Sequence, residues 1–412
     1  MMKLDTTFVR QQFPALAADA QAGRAFFENA GGSYMCRQVI DRFHRTFTTR
    51  KVQPYYPFDA SRKAGEDMDE ARSRIAALLG IGGDELVFGP STSQNTYVLA
   101  QAFGQMLTAG DAIVVTNQDH EANSGIWRGL ASHGIDIREW QIDPETGSLA
   151  LSDLANLLDA RVKLVCFPHC SNIVAEMNPV AEIVALVHSA GAVACVDGVS
   201  AAPHGWPNVS ALGADIYLFS AYKTWGPHQG IMTVRRDLAM RLPNQGHFFN
   251  ADTPYKRLSP AGPDHASVAA CAGMVDYLEA VHNHHFGTGT ARGASGVQMG
   301  EALHDLFAAH ERDLLQPLLD YVSQKNSVQL IGPNQASHRA ATVTLACKQP
   351  ALDLATALDQ HGIMAGCGHF YGRRCLTALG HDPDHGTLRL SFVHYATRAD
   401  INQAIEALDA VL

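Results

Sequence analysis

The sequence predicts an α/β fold: a large domain on a mostly parallel seven-stranded sheet flanked by helices, then a smaller α+β C-terminal domain. Three observations carry this. From about residue 85, short apolar runs of strand length alternate with helix-like segments, the rhythm of a parallel sheet with helical crossovers. Those runs are apolar on both faces, as strands covered on both sides must be. After about residue 255 the rhythm yields to a long helical stretch and a few further strand-like segments. At 412 residues the chain has room for one large domain and one smaller one.

Taken in order, Asp69 to Gly80 (DEARSRIAALLG) carries apolar residues at helical spacing and a glycine stop. Seven strand candidates follow: 85–89, 112–116, 136–140, 163–167, 192–197, 215–220 and 231–236. ASVAACAGMVDYLEAVH opens a helical region that runs to about residue 323. Strand-like segments stand near 328–331, 341–347 and 387–393, and RADINQAIEALDAVL closes the chain as a helix. The expected division is an N-terminal segment, 1–20, packing on the small domain, a large domain over 21–260 and a small domain over 261–412. GTGTARGASG (287–296) reads as a loop without the Gly-Lys-Ser/Thr ending of a phosphate loop. HNHH (282–285) reads as a solvated helix end.

The formal charge of -10 argues against nucleic acid or an anionic membrane as partner. No apolar run reaches bilayer length, and MMKLDTTFVRQQFPAL lacks the apolar core and cleavage site of a signal peptide. Eight scattered cysteines, several in strand-like runs such as LVCF and VACVD, form no paired CxxC framework. They read as small core residues of a reduced, cytoplasmic chain, with no metal site.

Three segments bear on chemistry. DIYLFSAYKTWGPHQG places Lys223 just past an apolar strand, VACVDGVSAAPHG ends a strand in Asp197, and FGPSTSQNTYVLA sets a hydroxyl cluster between a strand and a helix. Each alone has a plain reading: a solvated lysine, a turn-forming aspartate, a helix cap. Together they match what pyridoxal 5'-phosphate requires. That cofactor needs a lysine to hold its aldehyde as a Schiff base and a carboxylate on its pyridinium nitrogen. It also needs a helix N-terminus for its phosphate. In open α/β sheets such ligands sit beyond the carboxyl ends of the strands.

Over nearly its whole length, and in the same order, the chain resembles the class V aminotransferase family, the branch that includes cysteine desulfurases. The resemblance implies the fold of PLP-dependent transferases of fold type I. It makes Thr92 and Ser93 phosphate contacts at the head of a helix. GDAIVVTNQDHEANSGIW makes His120 the ring that stacks on the cofactor. SNIVAEMNP makes Asn172 the partner of the phenolic oxygen. The strand-end acid and the later Pro-His are matched by Asp197 and His204. FSAYKTWGP makes Ser220 a phosphate contact and Lys223 the Schiff-base lysine. RLSFVHYAT makes Arg389 the residue that binds the substrate carboxylate, a task suited to its planar fork. Asn29 and Gly31, in ENAGGS, are expected to border the substrate pocket, while Arg24 and Arg62 are expected to be surface charges.

Some positions depart from the family pattern. Tyr371, in AGCGHFYGRRC, stands where desulfurases carry a nucleophilic cysteine, with Cys367 and Cys375 four residues to either side. Tyr222 replaces the usual His before the lysine, and Ser200 the usual Gln beside the cofactor. Ala261-Gly262-Pro263 replaces a Gly-Thr-Pro whose Thr reaches the partner subunit's phosphate, with Asp264 or His265 as candidates to compensate. The resemblance implies a homodimer and an amino-acid substrate. It implies a desulfurase-like or C–S lyase-like activity; the alternatives are aminotransfer to a 2-oxo acid, racemisation, and a PLP-binding protein without turnover.

Overall fold

The computed structural model describes residues 2–287 and 295–412. The loop expected over 287–296 therefore lies largely outside the described residues.

The described strands are β1 (Ala25–Phe27), β2 (Leu86–Gly89), β3 (Ala112–Thr116), β4 (Asp136–Trp140), β5 (Val162–Pro168), β6 (Val193–Asp197), β7 (Ile216–Ser220), β8 (Gly230–Val234), β9 (Val328–Ile331), β10 (Thr342–Cys347), β11 (Ile363–Gly368) and β12 (Thr387–Ser391). The first sheet has seven strands in the order β2-β8-β7-β6-β5-β3-β4. Only β8 runs against its neighbours, β2 and β7; the rest pair in parallel. All seven expected strands are present, each end within two residues of its expected place. Alternation along the strands sends Ile113, Val115, Leu164 and Leu218 to one core and Val114, Val165, Val196 and Phe219 to the other. This is the α/β architecture expected from the sequence.

The helix expected over 69–80 begins ten residues earlier, at Asp59, and runs to Leu79. Gly80, at φ 73°, caps it in the left-handed region that glycine adopts without steric cost.

The second sheet has five strands, β1-β11-β12-β10-β9. Its three expected strands, β9, β10 and β12, are present; β1 and β11 are additional. β1 is only three residues long, and β11 (IMAGCG) has neither alternation nor β-branched bulk beyond its first residue. Their pairing with each other and with β12 makes them strands.

Residues after 261 do not all join this second sheet. Helices His265–Ala270 and Ala272–Phe286 bury Val268, Met274 and Leu278 in the first core. The helix Gly296–Val322 crosses between the two: Met299, Leu303 and Phe307 lie in the first core, Leu314, Leu315 and Leu318 in the second. The N-terminal residues Val9, Phe13 and Leu16 also enter the first core, while Arg10 reaches the Tyr395 carbonyl and Asp400 at 3.0 Å. The helix end at 282–285 is not simply solvated. His282 is buried against Phe286, His284 stacks on Phe8 at 3.9 Å, and His285 accepts the Asp5 N–H. Among the described residues no group of acidic, His and Cys side chains could hold a metal. No described helix is long and apolar enough to cross a membrane.

Candidate active site

One cavity opens at the carboxyl ends of β5, β6 and β7. Thr92, Ser93, His120, Asn172, Asp197 and Lys223 line it, together with Ser200, Ser220, Tyr222 and Asp119. The topology gathers them: Asp197 is the last residue of β6 and Ser220 the last of β7. His120 and Asn172 stand in the loops after β3 and β5, and the helix Thr92–Met106 follows β2. Every cofactor contact expected from the sequence therefore faces one space.

At one end of the cavity the helix Thr92–Met106 presents its N-terminus. Ser91 is the cap and accepts from the Gln94 N–H at 3.2 Å, which leaves Thr92 free to share a 2.7 Å hydrogen bond with Ser220. Ser93 is exposed at the same end. A Cβ on Gly230 would come within 2.3 Å of Ser91, so glycine is what lets β8 pass close beneath the helix start. Free N–H groups, the helix dipole and clustered hydroxyls together make an anion site.

Lys223 sits in a short turn held from below by the ENAGGS segment. The Ser33 hydroxyl donates to the Tyr222 carbonyl at 3.0 Å and accepts from the Trp225 N–H at 2.7 Å. Asn29 donates to the Lys223 carbonyl at 3.4 Å and accepts from the Tyr395 hydroxyl at 2.6 Å. Asn29 is thus bonded to the lysine's own backbone. Tyr222 stacks on His228 at 4.7 Å. Lys223 is 9% exposed. Burial and the Arg389 charge lower its pKa to about 8, against the opposing pull of Asp197 and Glu28.

Asp197 is buried and accepts the Val199 N–H at 2.8 Å. Burial raises its pKa to about 6, while Val199 and Lys223 act the other way. A second carboxylate, Asp119, lines the same cavity. It accepts from the His120 N–H at 2.8 Å and from Asn123 at 2.7 Å, and burial beside Asp197 pushes its pKa well up. Sequence reasoning passed over Asp119 because an acid ahead of a histidine in a loop reads as a turn former. His120 Nδ1 accepts the Ala122 N–H at 3.1 Å, so the neutral ring carries its proton on Nε2. Burial, Lys223 and Arg389 lower its pKa to about 3.

Arg389, in the middle of β12, is buried. Its Nη2 donates to Glu28 at 3.1 Å, its Nη1 to the Asn172 carbonyl at 3.3 Å, and the Phe370 ring lies 3.7 Å from its central carbon. Its Nε has no protein partner. The Asn172 amide donates to the Phe370 carbonyl at 2.8 Å, and its buried Oδ1 is unpartnered. Neither Glu28 nor Phe370 was singled out from the sequence, since each lies far along the chain from what it touches.

The segment carrying Tyr371 is anchored. Phe370 (φ 47°) and Tyr371 (φ 58°) adopt left-handed backbone, and the Tyr371 ring stands 5.2 Å from that of His120. Cys375 is buried among Ile142, Ile173 and Leu376, where burial raises its thiol to about 12. Cys367 lies on β11, its thiol raised by burial and by Glu28. Thiolates form poorly at both places. His204 accompanies the site but turns to Glu311, 2.6 Å away. Asp264 caps the helix His265–Ala270 through Ala266 and Ser267. Arg24 and Arg62 are indeed surface residues, paired with Asp359 and with Asp59 and Glu66.

These residues fit pyridoxal 5'-phosphate. A buried amine of lowered pKa stands near a buried carboxylate, and a hydroxyl-rich helix N-terminus is suited to a phosphate. The Asn172 Oδ1 and Arg389 Nε are buried polar atoms still without partners, as a site shaped for a polar ligand leaves them. The comparisons agree. The family model "Aminotransferase class-V" matches residues 25–404. The aminotransferase-like protein FGM3 of Gibberella zeae is 31% identical, with 98% of each chain covered. A cysteine desulfurase of Serratia proteamaculans is 28% identical over 98% of this chain and 97% of its own. The apo structure of cysteine desulfurase from Thermococcus onnurineus NA1 superposes with a TM-score of 0.85 at 23% identity, covering 100% of this chain and 99% of that one. The chain belongs to the class V aminotransferase family of PLP-dependent enzymes.

Proposed function

We propose that this cysteine desulfurase-like enzyme cleaves a C–S or similar bond at Cβ of an amino acid, releasing the β-substituent rather than passing it to a cysteine of its own. The observation that carries the first part is Lys223: a buried amine of lowered pKa between Asp197 and Arg389, at the strand ends where the cofactor belongs. The second part rests on Tyr371, in the place of the desulfurase cysteine, and on the burial of Cys375.

Thr92, Ser93 and Ser220 would hold the phosphate, Asp197 would pair with the pyridine nitrogen, His120 would cover the ring, and Asn172 would meet the phenolic oxygen. Ser200 and Tyr222 complete the wall. When bound, the cofactor draws electron density away from the substrate Cα and makes its proton removable. Arg389 holds the substrate carboxylate through the Nε–H that the protein leaves free. Lys223, whose lowered pKa gives it a neutral fraction near pH 8, takes the Cα proton on Nζ. Neutral His120 orients without adding charge. The Cβ–S bond of a thiol substrate then breaks with its electron pair on sulfur, and water releases a 2-oxo acid and ammonia.

Homodimer formation belongs to the same reading. It is supported by the family and by the aromatic side chains of Tyr55, Tyr56, Phe58, Tyr97, Phe248 and Phe249, all exposed. Sedimentation at micromolar concentration tests it; a monomer would exclude it. We place the division between the two domains within the helix Gly296–Val322, with β1 joining the smaller one. The N-terminal segment belongs to the first core, tied to the C-terminal region through Arg10. The eight cysteines, all unbridged, support a reducing, cytoplasmic location.

Borohydride reduction of the loaded protein tests the cofactor reading. An adduct on Lys223, lost in Lys223→Ala, is expected; an adduct on another lysine would refute the assignment. With L-cysteine, sulfide and pyruvate are expected. Alanine would mark desulfuration, pyridoxamine phosphate would mark aminotransfer, and no spectral response to any amino acid would mark a binding protein.

A further inference from the structure

The substrate arginine is not free. Glu28 Oε1 accepts from Arg389 Nη2 at 3.1 Å, and Glu28 Oε2 is buried without a hydrogen-bond partner. Two glycines make room for this carboxylate. A Cβ on Gly31 would stand 2.3 Å from Oε1, and one on Gly366 would stand 2.2 Å from Oε2. The Asn172 carbonyl takes another N–H of the same guanidinium, and Phe370 covers its face. The Nε–H is left without a hydrogen-bond partner. The chain thus balances its carboxylate-binding arginine with a fixed negative charge before any substrate arrives.

We infer that Glu28 sets the charge class of the substrate, admitting amino acids with one carboxylate and a neutral or cationic side chain and rejecting dicarboxylic ones. This deepens the proposed function and rests on Arg389 as the carboxylate anchor. A zwitterionic amino acid adds no net charge beside the Glu28–Arg389 pair. Aspartate or glutamate held by the same anchor adds a further negative charge on the side of Glu28, whose side chain is only partly exposed. Repulsion at that range in a partly buried site amounts to a discrimination of about tenfold or more. Glu28 is a specificity residue: it acts on the anchor and on the second charge and takes no part in proton transfer.

The test titrates the PLP-loaded protein with L-alanine, L-serine, L-aspartate and L-glutamate, reading dissociation constants from the cofactor absorption. The wild type is expected to bind alanine and serine about tenfold or more tightly than aspartate and glutamate. Glu28→Gln should narrow that ratio by about tenfold, and Glu28→Asp should restore it. Gly366→Ala drives a methyl group into the place of Oε2 and should narrow the same ratio. General damage to the pocket would weaken all four ligands together and leave the ratio standing. A wild-type ratio near one, or a ratio unchanged in both Glu28→Gln and Gly366→Ala, overturns the inference. Failure of the cofactor reading looks different: no borohydride adduct forms on Lys223, whatever the ligand ratio.

Discussion

The Tyr371 carbonyl accepts a hydrogen bond from the Glu121 N–H at 2.9 Å, tying the segment that carries Tyr371 to the loop that carries His120. Three more contacts hold the same segment. Gly372 N–H donates to the His369 carbonyl at 2.7 Å, Asn172 donates to the Phe370 carbonyl at 2.8 Å, and Arg374 pairs with Glu121 at 3.2 Å. Two consecutive left-handed non-glycine residues cost a few kcal/mol and persist only where surroundings fix them. What this geometry delivers is the Phe370 ring over Arg389.

Phe370→Ala should therefore weaken amino-acid binding more than Arg374→Ala does. A desolvated cation–π contact is worth about 2 kcal/mol, so the amino-acid dissociation constant should rise by up to ~30-fold. Arg374 and Glu121 are both nearly half exposed (45% and 46%), and such pairs contribute only about 0.2–1 kcal/mol. Spectral titration of both variants checks the order; equal effects would show that Phe370 does not orient the anchor.

Capture of pyridoxal phosphate by the cofactor-free protein should accelerate with a midpoint near pH 8. The neutral amine is the nucleophile, and burial with Arg389 brings Lys223 down to about 8 from 10.5. Stopped-flow absorbance across pH 6.5–10 measures this. Linkage gives a second readout. Between pH 8 and 10.5 the unfolded lysine holds a proton that the folded one has lost, so Lys223 makes the cofactor-free protein more stable as pH rises through that window. Lys223→Met should remove that rise.

The buried carboxylates act with the opposite sign. Asp197 is raised from 3.8 to about 6, and Asp119 is raised well above 3.8 by burial and by Asp197. Above pH 4 the folded protein keeps protons that the unfolded chain releases, so stability from these groups falls as pH climbs, for Asp197 between about 4 and 6. Asp119→Asn removes one of the two and should flatten the loss. Urea denaturation of cofactor-free wild type and variant at pH 4.5, 5.5 and 6.5 compares the slopes; parallel slopes would mean that Asp119 is ionised throughout.

What was legible follows from what each element depends on. Strands β2, β3 and β5 to β8 could be located because they are largely buried on both faces and bounded by polar turns, while the edge strand β4 is only partly buried. Lys223, Asp197 and Ser220 could be located because they sit at or just beyond the ends of those strands. β1 and β11 were invisible, since a three-residue AFF and a glycine-rich IMAGCG become strands only through each other and β12. The contacts around Arg389 were illegible for a related reason. Glu28 lies 361 residues from its partner, and Gly31 and Gly366 look like loop glycines until the carboxylate between them is seen. A change of rhythm near residue 261 marks where crossovers stop, and the helices that follow still pack on the first core.

Cys375→Ala should leave turnover unchanged. Its thiol packs among Ile142, Ile173 and Leu376 and is raised to about 12, so it serves as a small core residue. Trimming it should cost about 1 kcal/mol of stability. Under native conditions an alkylating reagent should modify Cys347 and Cys367 well before Cys375, since only those two are not fully buried. Rapid labelling of Cys375 with loss of sulfide release would return it to the chemistry.

Thr92→Val isolates the phosphate end. The substitution keeps the shape of the side chain, removes its hydroxyl and breaks the 2.7 Å bond to Ser220. The cap is untouched, because Ser91 supplies it, so helix stability should hold. A buried Ser220 hydroxyl left without its partner costs about 1–3 kcal/mol, and a phosphate that loses one of two adjacent hydroxyl donors is bound more weakly by a comparable amount. The dissociation constant for pyridoxal phosphate should rise by about tenfold or more, while the affinity for pyridoxal, which has no phosphate, should change little. Fluorescence titration with both ligands makes the comparison. Equal weakening of the two would place Thr92 outside the phosphate site, because only a contact to the phosphate separates them.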